Sequence, residues 1–336
     1  MHVTVVTITN GHRWHLLQQT VVAAFAAGAD RAVVVDNESE DPITDLMAEA
    51  FPGRHVTVRL WQNQGSAGAY YEGIRRAVED GAEFILLLDD DNAPRPNAIA
   101  SLKTTYRLLG GDGAQDRLCL AALRPVQEAL RGDVPEPSFP SEDEFLGFHV
   151  RILPRALWKR RPWAKQSERR SAFVAPQAPI RRTIAAWGGL FFHRALIERF
   201  GYPDRRLVLY GDDVEFTHRI PAGGGELWLD PNADIDDLEA SWLSDHTRES
   251  YLHAWLRRGS DEQIYYHTRN LAYLETHQRK CSWMREINRA TLVILLWSIS
   301  VRAKTWGRFR LIVRAAADGE KGVLGRFVRE CPANTK

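Results

Sequence analysis

Short apolar runs alternate with longer amphipathic runs through the first 92 residues. The short runs are rich in β-branched residues, and the longer runs repeat their apolar positions at helical spacing. Near-continuous apolar strands separated by helices are typical of a parallel sheet with helices on both faces. We therefore predict four strands, "HVTVVTIT", "RAVVVDN", "HVTVRLWQN" and "FILLLDDD", joined by the helices "RWHLLQQTVVAAFAAG", "DPITDLMAEAF" and "SAGAYYEGIRRAVEDG".

The pattern changes in the second half of the chain. Residues 131–182 are rich in Pro and Arg and predict no regular element, so this segment is interpreted as an exposed loop or, alternatively, as a flap that faces an acceptor. A strand and a helix follow in "TIAAWGGLFFHRALIERFG", and the chain is helical and aromatic after "GGGELWLDP". We expect an α/β domain over residues 1–235, Rossmann-like in its mostly parallel sheet, and a helical region over residues 236–336.

Polar residues follow each of the four predicted strands. In a parallel sheet, ligands bind beyond the carboxyl ends of the strands, so these residues should meet at one crevice. They are Thr7 to Asn10, Asp36 and Asn37, Asn63 to Gly68, and Asp89 to Asp91. The sequence therefore predicts a site for an anion and a metal ion at this edge.

Three consecutive aspartates, Asp89, Asp90 and Asp91, end the fourth strand. Carboxylates this close repel each other and lose hydration near a buried strand, so a cation is expected there. Oxygen ligands suit Mg²⁺ or Mn²⁺, with phosphate oxygens completing the shell. The alternative is a cap for the following helix, although a cap needs only one such residue.

The segment "NQGSAGAYYEG" forms the junction between the third strand and the next helix. Asn63, Gly65, Gly68 and Gly73 lie where backbone N–H groups and the helix dipole can face a phosphate. The spacing is neither G-x-G-x-x-G nor a Walker loop, and any tight turn between a strand and a helix uses glycine. Asp36 could accept hydrogen bonds from a base or ribose, or could be an ordinary turn residue.

A second acidic cluster occurs in "YGDDVEF". Asp212, Asp213 and Glu215 precede a helix and exceed what a cap requires. A carboxylate opposite a metal-bound phosphoryl group could serve as general base toward a hydroxyl. A solvated acidic turn is the alternative interpretation.

Taken together, these motifs resemble the family 2 inverting glycosyltransferases with the GT-A fold. The resemblance is carried by "TITN", "VVVDNES", "NQGSAGAYYEGIRRA", "LLLDDDN", "WGGLFFHR" and "LYGDDVEFTHRI", in that order. The later "YYHTRNLAYL" and the basic C-terminal segment look like the branch of bacterial rhamnosyl- and galactofuranosyltransferases. The resemblance implies a UDP- or dTDP-sugar donor, a glycan or lipid-linked glycan acceptor of cell-envelope polysaccharide synthesis, and Mn²⁺ or Mg²⁺.

The resemblance also assigns residue roles. Asp213 matches the general base, with Asp212 as its close competitor. Asp91 matches the most direct metal ligand, Asp89 completes the D-x-D pair, and His246 or Asp237 would be the third ligand. The donor crevice would be lined by Thr7, Asn10, Asp36, Asn63, Gly65, Gly68, Asp89, Asp90, Trp187, Gly188 and Gly189.

Composition narrows the range of partners and compartments. The chain has 336 residues and a net charge of +1, which gives no electrostatic argument for nucleic-acid binding. Three widely spaced cysteines argue against a disulfide framework or zinc site, and the N-terminus lacks a basic leader, so we expect a cytoplasmic protein.

The C-terminal region combines an apolar segment with a basic one. Ala290 to Val301 holds twelve uncharged residues, and nine Lys/Arg against three acids lie from Val301 onward. A spanning helix needs about 20 apolar residues, so this segment is too short to cross a bilayer. It predicts either a helix on an anionic membrane surface or a helix packed on protein, including a second copy in a homo-oligomer.

Other enzyme classes fit the sequence less well. A nucleotidyltransferase usually carries a basic Gly-rich loop after the first strand, which "TNGHRWH" fits poorly. A dinucleotide oxidoreductase would need glycines at that turn. A sugar-nucleotide-binding protein without catalytic activity would not need the second acidic cluster.

Overall fold

The computed structural model describes residues 1–125, 139, 141–151, 178–239, 251–277 and 282–328. Two compact units divide the chain. The first comprises Met1–Phe139, Glu168–Arg205 and Asp212–Asp245, and the second comprises Pro140–Ser167, Arg206–Gly211 and His246–Lys336. The boundary expected at residues 235 and 236 stays a prediction.

The first unit is built on a mixed sheet. Its strands are β1 Val3–Gly11, β2 Arg31–Ser39, β3 His55–Leu60, β4 Phe84–Asp89, β5 Asn92–Pro94, β6 Leu118–Leu123, β7 Ile180–Arg181, β8 Leu190–His193 and β9 Glu226–Asp237. Their order is β3-β2-β1-β4-β8-β6-β9-β5, with β7 also paired to β9. The first four strands are parallel, whereas β8 is antiparallel to both β4 and β6. The predicted α/β class is confirmed.

Helices cover both faces of this sheet. They are α1 Trp14–Ala26, α2 Ile43–Ala50, α3 Gly65–Glu79, α4 Ala98–Leu109, α5 Ala195–Phe200 and α6 Asp212–Ala222. Because side chains alternate along a strand, Leu87 of β4 packs with Tyr70 of α3 in one core, while Leu88 packs with Leu102 of α4 in the other. The same alternation decides where the polar residues at the strand ends point.

Helix α3 lies very close to the sheet at Gly73. A Cβ added there would lie 2.6 Å from Cγ1 of Val6 and 2.9 Å from Cγ2 of Val35. Glycine therefore lets α3 approach β1 and β2. This approach fixes the position of the segment that begins the helix.

The second unit is helical in its described part. It contains α7 Tyr251–Arg257, α8 Asp261–His277, α9 Trp283–Ala303 and α10 Trp306–Glu320. An apolar core joins these helices to the short segment around Phe145 and includes Trp255, Leu292 and Ile312. Among the described helices, none is both long enough and apolar enough to cross a membrane.

The contact at Gly73 generates a stability prediction. Gly73→Ala should destabilise the protein by about 1–3 kcal/mol, because the new methyl group must displace two valine side chains from a packed core. Gly113→Ala is the control, since an added Cβ there meets nothing within 4 Å. Thermal unfolding of both variants checks this, and an unchanged melting temperature for Gly73→Ala would contradict the packing argument.

Candidate active site

The aspartates at the end of β4 separate onto opposite faces of the sheet. Asp89 lies on the face of α3, where the Tyr70 hydroxyl donates a hydrogen bond to it at 2.8 Å. Asp90 points to the face of α1 and accepts from the Thr9 hydroxyl at 2.7 Å and from Nε and Nη2 of Arg13 at 2.9 Å. The alternation of β4 thus gives Asp90 its own counter-charge, away from Asp89.

Asp89 and Asp237 flank a second arginine, Arg124. Arg124 donates through Nε to Asp237 at 2.8 Å, and its Nη1 lies 3.7 Å from Oδ2 of Asp89. The Asn92 amide nitrogen lies 3.2 Å from a carboxylate oxygen of both Asp91 and Asp237. Strands β4, β6 and β9 therefore bring three carboxylates and one guanidinium to the same edge.

Negative charge exceeds positive charge at this edge. The pKa of Asp91 is raised to about 6, first by burial and then by the charges of Asp89 and Asp90, although Arg13 and Arg124 oppose this effect. An additional cation would relieve this repulsion.

The donor chemistry fits a hard divalent cation. Asp89 and Asp91 offer carboxylate oxygens, which Mg²⁺ and Mn²⁺ prefer. Within the described ranges, no group of three or more His, Cys, Asp and Glu side chains is arranged to hold a metal ion. The two carboxylates would therefore need diphosphate oxygens to complete the shell. Asp237 is already bonded to Arg124, and His246 lies outside the described residues.

A path of hydrogen bonds and one ring contact links the two acidic clusters. Asp89 accepts from Tyr70, whose ring packs against that of Trp187 with centroids 4.8 Å apart and a tilt of 34°. The Trp187 indole donates to Oδ2 of Asp212 at 2.9 Å, and the Ser66 hydroxyl donates to the same oxygen at 2.7 Å. Asp212 is only 2% exposed. Four sequence motifs therefore meet at one place.

Asp213 differs from its neighbour in its contacts. The backbone N–H of Val214 donates to its Oδ1 at 2.8 Å, and its other oxygen forms no hydrogen bond with any described residue. Burial, followed by the charge of Asp212, raises the pKa of Asp213 to about 7. The pKa of Asp212 is also raised by burial, although the bonds from Ser66 and Trp187 oppose this. A half-buried carboxyl that titrates near neutrality is suited to general base catalysis.

Asp36 lies at the end of β2 and is fully buried. Its Oδ1 accepts from the backbone N–H of Ser39 at 2.8 Å, and its Oδ2 pairs with Arg59 at 2.5 Å. The Arg59 side chain is 38% exposed. A base or ribose at this position would share Asp36 with these two donors.

The turn before α3 is closed by its own side chains. Oδ1 of Asn63 accepts from the Gly65 backbone at 2.8 Å and from the Asn37 amide at 3.0 Å. An added Cβ at Gly68 would lie 2.5 Å from Cβ of Gln64, so that helix turn leaves no room for a side chain. The turn lies beside the edge formed by β1 and β2.

The remaining candidates occupy three different positions. Thr7 is fully buried on the Asp90 face, and its hydroxyl finds no partner among the described residues, whereas Asn10 is exposed. A Cβ at Gly188 would lie 2.0 Å from the Asn92 side-chain oxygen, and Gly189 follows at a φ of +99°. Gly188 thus makes room for Asn92, whereas Thr7 lies apart from the Asp89 face.

Several site residues were not singled out by sequence patterns. Arg13 and Arg124 supply the positive charge, and Ser66 and Tyr70 supply hydrogen bonds to carboxylates. Arg124 follows β6 directly, and Arg13 lies two residues after the end of β1. A search for basic residues just beyond strand ends could have found them.

Comparisons with known proteins show which proteins this chain is similar to. Residues 4–116 match the family model described as glycosyl transferase family 2. Galactofuranosyltransferase GlfT1 of Mycobacterium tuberculosis is 26% identical over 206 residues, 61% of this chain and 59% of that protein. GlfT1 of Mycolicibacterium smegmatis is 27% identical over 198 residues, 58% of this chain and 57% of that protein. The chain thus spans less than two thirds of these relatives.

Two solved structures share the fold at low identity. GalNAc-T7 with UDP, GalNAc and Mn²⁺ superposes with a TM-score of 0.54 and 17% identity, covering 82% of this chain and 47% of that one. S. aureus TarS 1–349 in complex with UDP-GlcNAc gives 0.52 and 12%, covering 95% and 81%. The resemblance found in the motifs is thereby confirmed: residues 4–116 match glycosyl transferase family 2, about three fifths of the chain is similar to galactofuranosyltransferases, and the fold is GT-A.

Proposed function

We propose that the protein transfers a sugar, with inversion, from a UDP- or dTDP-linked donor to a hydroxyl of a glycan acceptor. The observation that carries this proposal is the path from Asp89 through Tyr70 and Trp187 to Asp212. It couples carboxylates suited to a diphosphate-bound cation with a carboxylate pair suited to proton removal. The two solved neighbours were determined with UDP and with UDP-GlcNAc, which supports the choice of donor class.

The chemistry is a single displacement. The acceptor oxygen attacks the anomeric carbon from the face opposite the diphosphate, so the configuration inverts. The bond between that carbon and the phosphate oxygen breaks, and its electron pair leaves with the nucleoside diphosphate. Asp213 accepts the hydroxyl proton at its second carboxylate oxygen. Asp212 is held by Ser66 and Trp187, and its charge helps to raise the pKa of Asp213.

The leaving diphosphate needs positive charge. A divalent cation would neutralise the charge that develops on it, and Asp89 and Asp91 would hold that cation. Arg124 adds a fixed positive charge 3.7 Å from Asp89. Its side chain is only 13% exposed, so solvent screens this charge weakly.

A nucleotidyltransferase is less compatible with this site. That reaction would use a basic loop after β1 to bind the triphosphate. The basic residue found there, Arg13, is bonded to Asp90 and Glu239 instead. A binding protein without catalytic activity would have no use for the raised pKa of Asp213.

We further propose that the acceptor is a lipid-linked glycan reached from the cytoplasmic face of an anionic membrane. Helix α9 exposes an apolar stripe, defined as Trp283, Ile287, Ile294, Trp297 and Val301, with exposed fractions of 73, 44, 62, 49 and 56%. Residues 287–317 contain six Lys/Arg and no Asp or Glu. Aromatic and basic residues together favour the headgroup region of a bilayer.

The cation prediction concerns nucleotide affinity. Asp91→Asn should weaken UDP or dTDP binding in Mn²⁺ by about tenfold or more, because a ligand to the diphosphate-bound cation is lost. In EDTA the variant and the wild type should bind equally. Calorimetry measures both, with Asp116→Asn, an exposed carboxylate paired to Arg199, as the control. Equal wild-type affinity with and without divalent metal would contradict the role of the cation.

The base prediction separates two neighbouring carboxylates. Asp213→Asn should lower transfer by roughly 10²-fold or more while donor affinity changes only a few-fold. In the wild type, kcat/KM should rise with pH up to about 7 as Asp213 ionises, and this limb should be absent in the variant. Near-normal turnover in Asp213→Asn together with loss in Asp212→Asn would assign the base to Asp212.

Asp213→Asn should lower transfer but raise the stability of the folded protein. The pKa of Asp213 is about 7 in the folded protein against 3.8 as its ordinary value, so the folded state binds more protons and loses stability as pH rises between these values. Asp213→Asn should therefore raise the melting temperature at pH 8 and leave it unchanged below pH ~4. Higher stability with lower activity would exclude misfolding as the cause of lost transfer.

The membrane prediction is tested by flotation. The protein should bind vesicles containing phosphatidylglycerol but not neutral vesicles, and salt should weaken this binding. Arg302→Glu with Lys304→Glu should lower binding by tenfold or more, since each basic residue contributes about 1 kcal/mol. Lys103→Glu with Arg107→Glu, on α4, is the charge-matched control. A protein that stays unbound at low salt but sediments as a dimer would assign the stripe to self-association.

A further inference from the structure

The segment just before the acidic pair has an unusual backbone. Val208 has a φ of 66°, Tyr210 of 63° and Gly211 of 78°. A β-branched residue at positive φ is a genuine outlier. The Leu209 N–H donates to the Leu207 carbonyl at 2.8 Å across Val208, which makes a γ-turn of the rare and strained kind. Helix α6 begins at the next residue, Asp212.

A buried asparagine holds this segment. Asn270 of α8 is fully buried, and its amide nitrogen lies 2.9, 2.9 and 2.6 Å from the carbonyl oxygens of Leu207, Leu209 and Tyr210. An amide has two hydrogens, so the three carbonyls share them. These contacts gather carbonyls that an extended chain would point in opposite directions.

A buried arginine holds the start of the same segment. Arg269 is 1% exposed and donates to the Leu207 carbonyl at 2.7 Å and to the Gly325 carbonyl at 2.6 Å. The Gly325 N–H in turn donates to the Arg206 carbonyl at 2.8 Å. Arg269 and Asn270, which are adjacent in the motif "YYHTRNLAYL", thus both contact the backbone of residues 206–210.

We propose that Asn270 and Arg269 are positioning residues for Asp213, acting through residues 206–211. This proposal rests on the proposed function, because it assigns Asp213 as the base. A strained backbone persists only where its surroundings over-determine it, and such segments occur at sites where geometry matters. Gly211 is joined directly to Asp212, so a rotation within the strained segment moves the first turn of α6. A displacement of about 1 Å at a reacting group can lower the rate by 10²-fold.

The test uses two variants at one position and a matched control. Asn270→Ala removes the donors, and the milder Asn270→Ser replaces the amide with a shorter side chain that has one hydroxyl donor. Leu292→Ala is the control, because Leu292 is fully buried in the core of the same unit and belongs to the cluster around Phe145 rather than to the cluster around Val208. All three are made in the full chain, and melting temperatures are measured first.

Kinetics and hydrogen exchange then give separate results. Asn270→Ala should lower kcat by about 50-fold or more and change donor KM by less than about threefold, with Asn270→Ser in between. Leu292→Ala should lose stability yet keep kcat within about twofold below its melting temperature. Backbone amides of residues 209–214 should exchange about tenfold faster or more in Asn270→Ala than in wild type or Leu292→Ala.

Each outcome has a distinct meaning. Unchanged exchange at residues 209–214 in Asn270→Ala overturns the restraint by Asn270, whatever the enzyme does. Faster exchange with unchanged kcat, or equal kcat losses in Asn270→Ala and Leu292→Ala at matched stability, overturns the positioning role and leaves the proposed function intact. A wild type that transfers sugar from no UDP- or dTDP-linked donor overturns the proposed function, and with it the role of Asn270 in catalysis, while exchange still reports the restraint.

Discussion

Burial of negative charge at one edge of the sheet is the constraint on which this site depends. Aspartates from the ends of β4 and β9 and from the start of α6 lie where apolar strands limit solvation. Two of them, Asp90 and Asp237, are bonded to arginines. Asp89 accepts from the Tyr70 hydroxyl and shares Arg124 with Asp237, and Asp212 is held by uncharged donors. Burial, followed by the charge of neighbouring carboxylates, raises the pKa of Asp91 and Asp213. A transferase that binds a cation and removes a proton needs both features.

This arrangement costs stability, and the rigid sheet offsets the cost. A carboxylate held above its ordinary pKa disfavours the folded state at neutral pH. The four parallel strands are packed on both faces, so the edge cannot relax by moving its carboxylates into water. Close approaches at Gly73 and Gly188 bring α3 and Asn92 into positions that larger residues would prevent. The packing of these strands thus offsets the stability cost of the buried carboxylates that they carry.

The periodicity of apolar residues predicts many of the strands and helices of this fold, but it predicts little about which strands pair or which side chains meet. The alternation of short and long apolar runs predicts β1 to β4 and the helices between them, and it shows that polar residues follow the strands. The insertion of antiparallel β8 between β4 and β6 has no local signature, because strand order depends on contacts distant in sequence. The same limit applies to the site. The period of β4 separates Asp89 from Asp90, yet the pairing of Asp90 with Arg13, 77 residues away, appears only in three dimensions.

The helical unit shows why its buried polar residues are tolerated. Apolar packing stabilises the core of this unit, whereas each buried polar side chain adds a desolvation cost unless it forms hydrogen bonds. Glu275 accepts from the backbone of Leu146 and Gly147, and Asn288 accepts from the backbone of Val150. Asn270 donates to the carbonyls of residues 207–210. Each of these side chains bonds to backbone outside the helices. The polar residues therefore restrain two connecting segments, and one of those segments leads directly into Asp212 and Asp213.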